Sequence, residues 1–138
     1  MRSRSKPRVL LAEDDPLVRE IVRLKLGLDY RVTTADTGPQ TLEAMIHRRP
    51  QVTVLDINLP GLNGFEVLEA LHEREPGYDA PVIMLTARHS ADDVRRALAL
   101  GARDYVVKTE DVKGVVARIE RVLRQSAAGV VRPRPVDL

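Results

Sequence analysis

The stretch RVLLAEDDPLVRE, residues 8–20, joins a short apolar run directly to three carboxylates and a proline. A nearly continuous run of this length, rich in Val and Leu, is typical of a strand buried on both faces of a parallel sheet. Asp15 before Pro16 is typical of a helix N-cap and first helical residue. The stretch therefore predicts a strand, an acidic turn and a helix, and it raises the question of why three mutually repelling acids stand together.

The same alternation of strand and helix runs through the rest of the chain. Further predicted strands are YRVTTA at 30–35, VTVL at 52–55, PVIML at 81–85 and YVV at 105–107. Apolar residues three and four apart predict five helices, with buried stripes assigned to Leu17, Ile21, Leu24 and Leu28; Leu42, Met45 and Ile46; Phe65, Leu68 and Leu71; Val94, Ala97 and Leu98; and Val112, Val115, Ile119 and Val122. Strands and helices in strict alternation imply a doubly wound α/β fold, a parallel sheet with helices on both faces.

Length and charge define the organisation of the chain. Its 138 residues correspond to one domain, which we place at 8–126, between a basic arm at 1–7 and a flexible tail or linker containing Pro and Arg at 127–138. Residues 9–117 hold 13 basic and 18 acidic side chains, a net charge of −5, so the basic character lies in the two ends. A basic charge confined to the ends is weak support for DNA binding, and we predict no direct contact with nucleic acid.

Composition also limits the cellular setting. The chain has no cysteine, which excludes disulfides and thiolate chemistry. It has no apolar run of membrane-spanning length and no secretory signal at its start, so we expect a cytoplasmic protein that does not enter a membrane.

Polar residues follow the predicted strands at their carboxyl ends, where ligands bind in open parallel sheets. Glu13, Asp14 and Asp15 follow the first strand, and the strands further on end at Asp56 with Asn58, at Thr86, and at Lys108. Clustered carboxylates raise one another's pKa unless a cation neutralises them, and hard oxygen ligands suit Mg²⁺. Two of the three acids are therefore predicted metal ligands, and Asp15 is the predicted cap.

A carboxylate at the end of the third strand, beside a metal and an ammonium, is placed to attack a phosphoryl group and form an acyl phosphate. Asp56 is that carboxylate, and it is followed by INLPGLNG, a loop of tight turns. The sequence therefore predicts phosphoryl chemistry at Asp56 that needs no histidine.

Four motifs in order resemble the receiver domain of bacterial two-component response regulators: VLLAEDDP, LDINLPGLNGFEVL, VIMLTA and GARDYVVK. The resemblance runs from about Arg8 to Gln125. It implies a flavodoxin-like (βα)5 fold with strand order 2-1-3-4-5, and a domain that catalyses only its own phosphorylation and dephosphorylation.

The resemblance also implies roles for individual residues. Asp56 is the phosphoacceptor, and Mg²⁺ is held by Asp56, the acidic pair and a main-chain carbonyl, that of Asn58. Thr86 and Lys108 contact the phosphoryl oxygens. Thr86 also acts with Tyr105, the switch aromatic, which turns inward on activation.

One position departs from the family pattern. Thr109 follows Lys108 where the family usually has a proline after a cis peptide bond. Because a cis bond before a residue other than proline costs about 2.5–4 kcal/mol, we predict a trans Lys108–Thr109 bond.

The implied partners are a histidine kinase or a histidine phosphotransfer protein as donor, and an output partner that the sequence does not name. Two alternatives stay open: the N-terminal receiver of a longer DNA-binding regulator, and a Mg²⁺-dependent phosphohydrolase. The second is disfavoured because Asn58 stands where such a hydrolase would have its second acid. Asp104 and Arg118 match a dimer-face ion pair of DNA-binding regulators, so a homodimer through helix 4, strand 5 and helix 5 is a further option.

Overall fold

The computed structural model describes residues 6–87, 90–108 and 112–127, and within them strands and helices alternate five times. The elements in chain order are β1 (Arg8–Ala12), α1 (Pro16–Leu26), β2 (Arg31–Ala35), α2 (Gly38–Arg48), β3 (Val52–Asp56), α3 (Gly64–Arg74), β4 (Val82–Thr86), α4 (Ala91–Ala99), β5 (Asp104–Val107) and α5 (Val112–Ala127). All five predicted strands and helices are confirmed.

The five strands form one parallel sheet in the order β2-β1-β3-β4-β5. The chain leaves β1 toward β2 on one side and later returns to β3 on the other. A crevice therefore opens at the carboxyl ends of β1 and β3, the position where ligands bind in sheets of this type. The predicted doubly wound, flavodoxin-like fold is confirmed.

Two apolar layers hold the helices on the sheet. On one face Leu10, Leu55 and Met84 pack with the buried side chains of α2, α3 and α4, among which Phe65 is a large one. On the other face Val9, Leu11, Val54 and Leu85 pack with α1 and α5 through Val22, Leu26, Val115, Ile119 and Val122. The three central strands, β1 after Arg8, β3 and β4, are buried on both sides, which explains why their sequences are almost continuously apolar, whereas the edge strand β2 is largely exposed or half-buried.

The predicted buried stripe of α1 is wrong. Its members are solvent-exposed, with relative exposures of 69% for Leu17, 44% for Ile21, 58% for Leu24 and 74% for Leu28. The residues that face the sheet are Val22 and Leu26, with Val18 packed against them. The helix carries two apolar stripes, and its rotation is fixed by the packing of Val22 and Leu26 in the apolar layer shared with α5 rather than by the larger stripe.

A smaller difference concerns α4, where only Ala97 of the predicted stripe is buried, while Val94 is half-buried and Leu98 is 44% exposed. The helix is short and covers the edge of the sheet, so it needs only a narrow apolar contact.

In α2 and α3 the predicted stripes are confirmed, with Ile46 partly buried.

The start of α1 follows the prediction in detail. Oδ1 of Asp15 accepts hydrogen bonds from the backbone N–H groups of Leu17 (2.9 Å) and Val18 (3.3 Å), and Pro16 is the first helical residue. The cap therefore places α1 directly after the acidic pair.

The predicted trans bond between Lys108 and Thr109 lies outside the described residues, as does the structure of both chain ends. Within the described ranges, none of the helices has the length and apolar character that crossing a bilayer requires.

Candidate active site

Glu13 is the first site residue after β1, and the sheet itself fixes its position. Its backbone N–H donates to the carbonyl of Ala35 at the end of β2 (3.0 Å), which extends the ladder of the sheet by one residue. Its side chain is fully buried, and Oε2 accepts the backbone N–H of Asp15 (3.1 Å). A buried glutamate is thus held in the crevice by its own neighbours.

Asp56 is the last residue of β3 and is also buried, with 1% exposure. Its Oδ1 accepts the backbone N–H of Asn58 (3.2 Å). The loop then closes tightly, because the N–H of Gly64 donates to the carbonyl of Ile57 (2.7 Å). This closure keeps the Asp56 carboxylate at the strand end and leaves Asn58 exposed beside it.

The structure brings together three of the predicted acids. One carboxylate oxygen from each of Glu13, Asp14 and Asp56 lies within 4.8 Å of the other two. Asp14 is exposed, so it forms the solvent side of the cluster, while Glu13 and Asp56 form its floor. Asp15 serves instead as the helix cap, as predicted.

Lys108 reaches into the same crevice from β5. Its backbone N–H donates to the carbonyl of Thr86 (2.7 Å), and its ammonium Nζ lies 2.8 Å from Oδ2 of Asp56 and 2.7 Å from Oε1 of Glu13. One ammonium therefore bridges the two buried carboxylates, and the group of four side chains keeps a net negative charge.

The electrostatics of this group depend on burial. Burial raises the pKa of Glu13 above its ordinary value, the charge of Asp56 raises it further, and the hydrogen bond from Lys108 opposes both. Burial alone would lower the pKa of Lys108, but its hydrogen bonds to Asp56 and Glu13 outweigh that effect and raise it. Lys108 is therefore firmly cationic at neutral pH, and one ammonium does not fully offset the cost of burying two carboxylates.

These residues have the chemistry of a divalent-cation site. All three acids offer hard oxygen atoms, one from each is close to the others, and Asp14 opens the cluster to water, which Mg²⁺ retains when it binds. The uncompensated negative charge gives a cation an electrostatic reason to bind there. The described residues thus have the donor set that Mg²⁺ requires.

Thr86 and Tyr105 lie on adjacent strands close to this crevice. Thr86 is buried at the end of β4 and pairs with Val107, whereas Tyr105 pairs with Met84 two residues earlier. Paired residues of parallel strands share a face of the sheet and alternate residues return to it, so Thr86 and Tyr105 lie on the same face. Tyr105 is half-buried against the apolar layer of that face.

Arg19 is a residue of the site that was not predicted from the sequence. From the second turn of α1, this residue turns back toward the acidic loop, and Nη1 donates to the backbone carbonyls of Glu13 (2.9 Å) and Asp14 (3.4 Å). No sequence signal distinguishes it from an ordinary solvated arginine of a surface helix. Its contacts are evident only from the fold.

A parallel sheet of order 2-1-3-4-5, with a lysine-bridged acidic cluster at its switch point, defines a class of phosphoryl-accepting signalling domains. The sequence pattern of the response regulator receiver domain matches residues 9–120. The chain belongs to this family, the receiver domains of two-component response regulators.

Individual relatives agree with the family assignment. The transcriptional regulatory protein AfsQ1 of Streptomyces coelicolor is 41% identical over 120 residues, which are 86% of this chain and 52% of AfsQ1. The transcriptional regulatory protein PrrA of Mycobacterium leprae is 41% identical over 125 residues, which are 90% of this chain and 53% of PrrA. The chain spans about half the length of these curated relatives.

Solved structures show the same fold over almost the whole chain. The non-phosphorylated HemR receiver domain of Leptospira biflexa superposes with a TM-score of 0.78 at 34% identity. The match covers 94% of this chain and 99% of that one. The likeness therefore extends over the entire receiver unit.

Proposed function

We propose that this chain accepts a phosphoryl group on Asp56 from a histidine kinase or a histidine phosphotransfer protein. The observation that carries the proposal is the position of Asp56, buried at the end of β3 and in contact with the Lys108 ammonium at the edge of an acidic cluster. The chain would catalyse only its own phosphorylation and dephosphorylation, because the group that reacts with phosphorus is a carboxylate of the protein itself.

In the transfer step, an oxygen of Asp56 forms a bond to phosphorus while the bond from phosphorus to the donor's imidazole nitrogen breaks. The electron pair stays on that nitrogen, which then takes up a proton. The ammonium of Lys108 is already 2.8 Å from Oδ2 of Asp56, so it is placed to contact the phosphoryl oxygens as they arrive. Water later hydrolyses the acyl phosphate and restores the carboxylate.

The ion we propose for the site is Mg²⁺, with ligands from Glu13, Asp14, Asp56 and the main-chain carbonyl of Asn58. When bound, Mg²⁺ supplies positive charge that neutralises the acids and the oxygens of the transferred group. The acid cluster and the exposed position of Asp14 support this assignment. Lys108 would release Glu13 to the ion while keeping its contact with Asp56.

For the switch, we propose that the Thr86 hydroxyl moves toward the phosphoryl group and that Tyr105 turns into the space it leaves. The shared face of the two residues and the half-buried state of Tyr105 support this motion. Phosphorylation would then shift the population between two arrangements of one surface.

For the donor, we propose the exposed stripe of α1 as its docking face. Leu17, Ile21 and Leu24 of α1, with Leu28 just beyond the end of the helix, are spaced by four, three and four residues, the heptad spacing with which a helix packs along another helix. Because α1 begins next to the acidic pair, a helical segment of the donor lying on this stripe would end near Asp56. The partner is therefore predicted to present an apolar helix beside its histidine.

For the output, we propose a receiver that acts within the cytoplasm as part of a longer DNA-binding regulator. The match to its relatives, which spans only 52% of AfsQ1 and 53% of PrrA, supports this reading. A homodimer through α4, β5 and α5 is proposed as the active form. Within one chain, Asp104 lies 3.5 Å from Nε of Arg118 and also pairs with Arg121, so a dimer that uses Asp104 must exchange these partners.

The test of the phosphoacceptor is incubation with acetyl phosphate and Mg²⁺, followed by intact-mass measurement. The parent chain should gain the mass of one phosphoryl group, and Asp56→Asn should gain none. Full labelling of Asp56→Asn would disprove the assignment, and loss of labelling when Mg²⁺ is chelated would support the metal.

A further inference from the structure

The guanidinium of Arg19 makes an unusual choice of partners. It lies near the N-terminal end of α1, beside Asp15, whose capping carboxylate already occupies the end of the helix where the dipole favours anions. The side chain turns toward that end and donates to the backbone carbonyls of Glu13 and Asp14. Hydrogen bonds to the backbone of the acidic loop indicate a role in holding that loop.

The two carbonyls belong to the peptide units that carry the acid pair. Glu13 is fixed independently, because its N–H is part of the sheet and its carboxylate accepts the Asp15 N–H. The peptide unit between Glu13 and Asp14 is held by Arg19, whose Nη1 donates to the Glu13 carbonyl at 2.9 Å. The next unit, between Asp14 and Asp15, has its N–H on the Glu13 carboxylate (3.1 Å) and its carbonyl at a longer 3.4 Å from Arg19. Arg19 therefore acts mainly on the Glu13–Asp14 peptide, and through it on the exposed Asp14.

One side of Arg19 is open: together with Thr34, Ala35, Asp36 and Gln40 it lines a pocket of about 150 Å³. Shortening the Arg19 side chain would enlarge this space without bringing another donor to the loop. The hydrogen bonds from the Arg19 guanidinium to the loop are therefore not replaced by a neighbouring side chain.

We infer that Arg19 is a positioning residue for cation binding: by holding the Glu13 and Asp14 carbonyls, it keeps the two carboxylates directed into the crevice. The inference rests on the proposed Mg²⁺ site.

The sign of the change in Mg²⁺ affinity when Arg19 is replaced distinguishes a positioning role from a purely electrostatic one. A guanidinium near an acidic cation site repels the cation, so if Arg19 acted only through its charge, removing that charge would tighten Mg²⁺ binding. If Arg19 positions the loop, removing it weakens Mg²⁺ binding, because Asp14 then samples orientations that cannot coordinate. The two roles predict opposite signs.

The experiment measures Mg²⁺ affinity by isothermal titration calorimetry for the parent chain and for Arg19→Met, Arg19→Lys and Arg23→Met. Arg23 is the control, one turn further along α1 and paired with Glu20 rather than with the loop. Loss of a group that orients metal ligands typically weakens binding about 10-fold or more. We expect Arg19→Met to show such a loss, Arg19→Lys a smaller one, and Arg23→Met no change.

A second measurement guards against a merely structural defect. The rate of labelling by acetyl phosphate in Arg19→Met should return to the parent's rate at saturating Mg²⁺, because positioning alters affinity and not the phosphoryl step. Equal or tighter Mg²⁺ binding by Arg19→Met would overturn the inference, as would a rate that stays low at saturation. If Arg19→Met does not fold, Arg19→Lys decides by the same criteria. A parent chain that binds no Mg²⁺ and takes no phosphoryl group would instead contradict the proposed function.

Discussion

The ammonium of Lys108 lies 2.8 Å from Oδ2 of Asp56, although the two residues are 52 positions apart in the chain. The same ammonium also contacts Glu13, and both carboxylates are buried. In the metal-free protein Lys108 is therefore the counter-ion of the site. The sheet order explains the contact, because β3 and β5 flank β4 and their carboxyl ends meet at the same edge.

The first prediction concerns Lys108→Met, which preserves the length of the side chain and removes its charge. Two buried carboxylates would lose their counter-ion, and breaking a buried ion pair costs about 3–5 kcal/mol. We expect the metal-free variant to lose about 3 kcal/mol of unfolding free energy in urea titrations with EDTA. Lys25→Met, at an exposed position of α1, is the control and should change little. A loss no larger than that of the control would show that Lys108 does not balance the site.

The second prediction concerns pH and Glu13. Its raised pKa means that the folded state holds this proton more tightly than the unfolded state, whose value is about 4.5. As pH rises from 4.5 through the raised pKa, this residue therefore lowers the stability of the metal-free fold. Glu13→Gln cannot ionise and should escape that decline.

Urea titrations of the parent and of Glu13→Gln, in EDTA and at several pH values, would measure this pH dependence of stability. The stability advantage of Glu13→Gln over the parent should grow as pH rises above 4.5 and level off once pH has passed the raised pKa of Glu13. An advantage that stays constant, or that shrinks with rising pH, would contradict a raised pKa. Glu73→Gln, at an exposed site on α3, serves as the comparison.

Much of the site could be predicted because the positions of the strands follow from local sequence patterns, and the parallel topology then fixes where the strands end. Apolar runs marked the strands, and parallel topology sends every strand end to one edge, so Glu13, Asp56 and Lys108 had to converge there. The rotation of α1 could not be predicted in the same way. Its two apolar stripes satisfy the same periodicity, and only the packing of Val22 and Leu26 against α5 distinguishes them.

The third prediction tests the α1 stripe as the docking face of the phosphodonor. The double variant Ile21→Ala, Leu24→Ala removes exposed apolar contacts and should leave the fold intact. We expect transfer from a phosphohistidine donor that labels the parent to slow by about tenfold or more, the size of loss typical of residues central to an interface. Labelling by acetyl phosphate, which needs no docking, should stay unchanged.

Leu98→Ala is the matched control for that experiment, because Leu98 on α4 and Ile21 on α1 are both 44% exposed. Transfer to this variant should match transfer to the parent. Equal slowing in both variants would point to a general effect of apolar surface, and unchanged transfer to the α1 variant would place the donor elsewhere.

The fourth prediction concerns Gly64, the first residue of α3. A Cβ built at this position would lie 2.6 Å from the carbonyl oxygen of Asp56 and 3.0 Å from Cα of Ile57, both of them backbone atoms that have no room to move aside. Gly64→Ala must therefore push α3 away from the end of β3, which displaces Asp56 from Lys108. We expect a loss of about 1–3 kcal/mol in unfolding free energy, the usual cost of overpacking, together with slower labelling by acetyl phosphate.

Urea denaturation midpoints and intact mass over time would measure the two effects. Gly27→Ala, at the end of α1 and with φ of −62°, is the control and should label at the parent's rate. If Gly64→Ala were as stable and as reactive as the parent, the close approach of α3 to Asp56 would have no part in holding the phosphoacceptor.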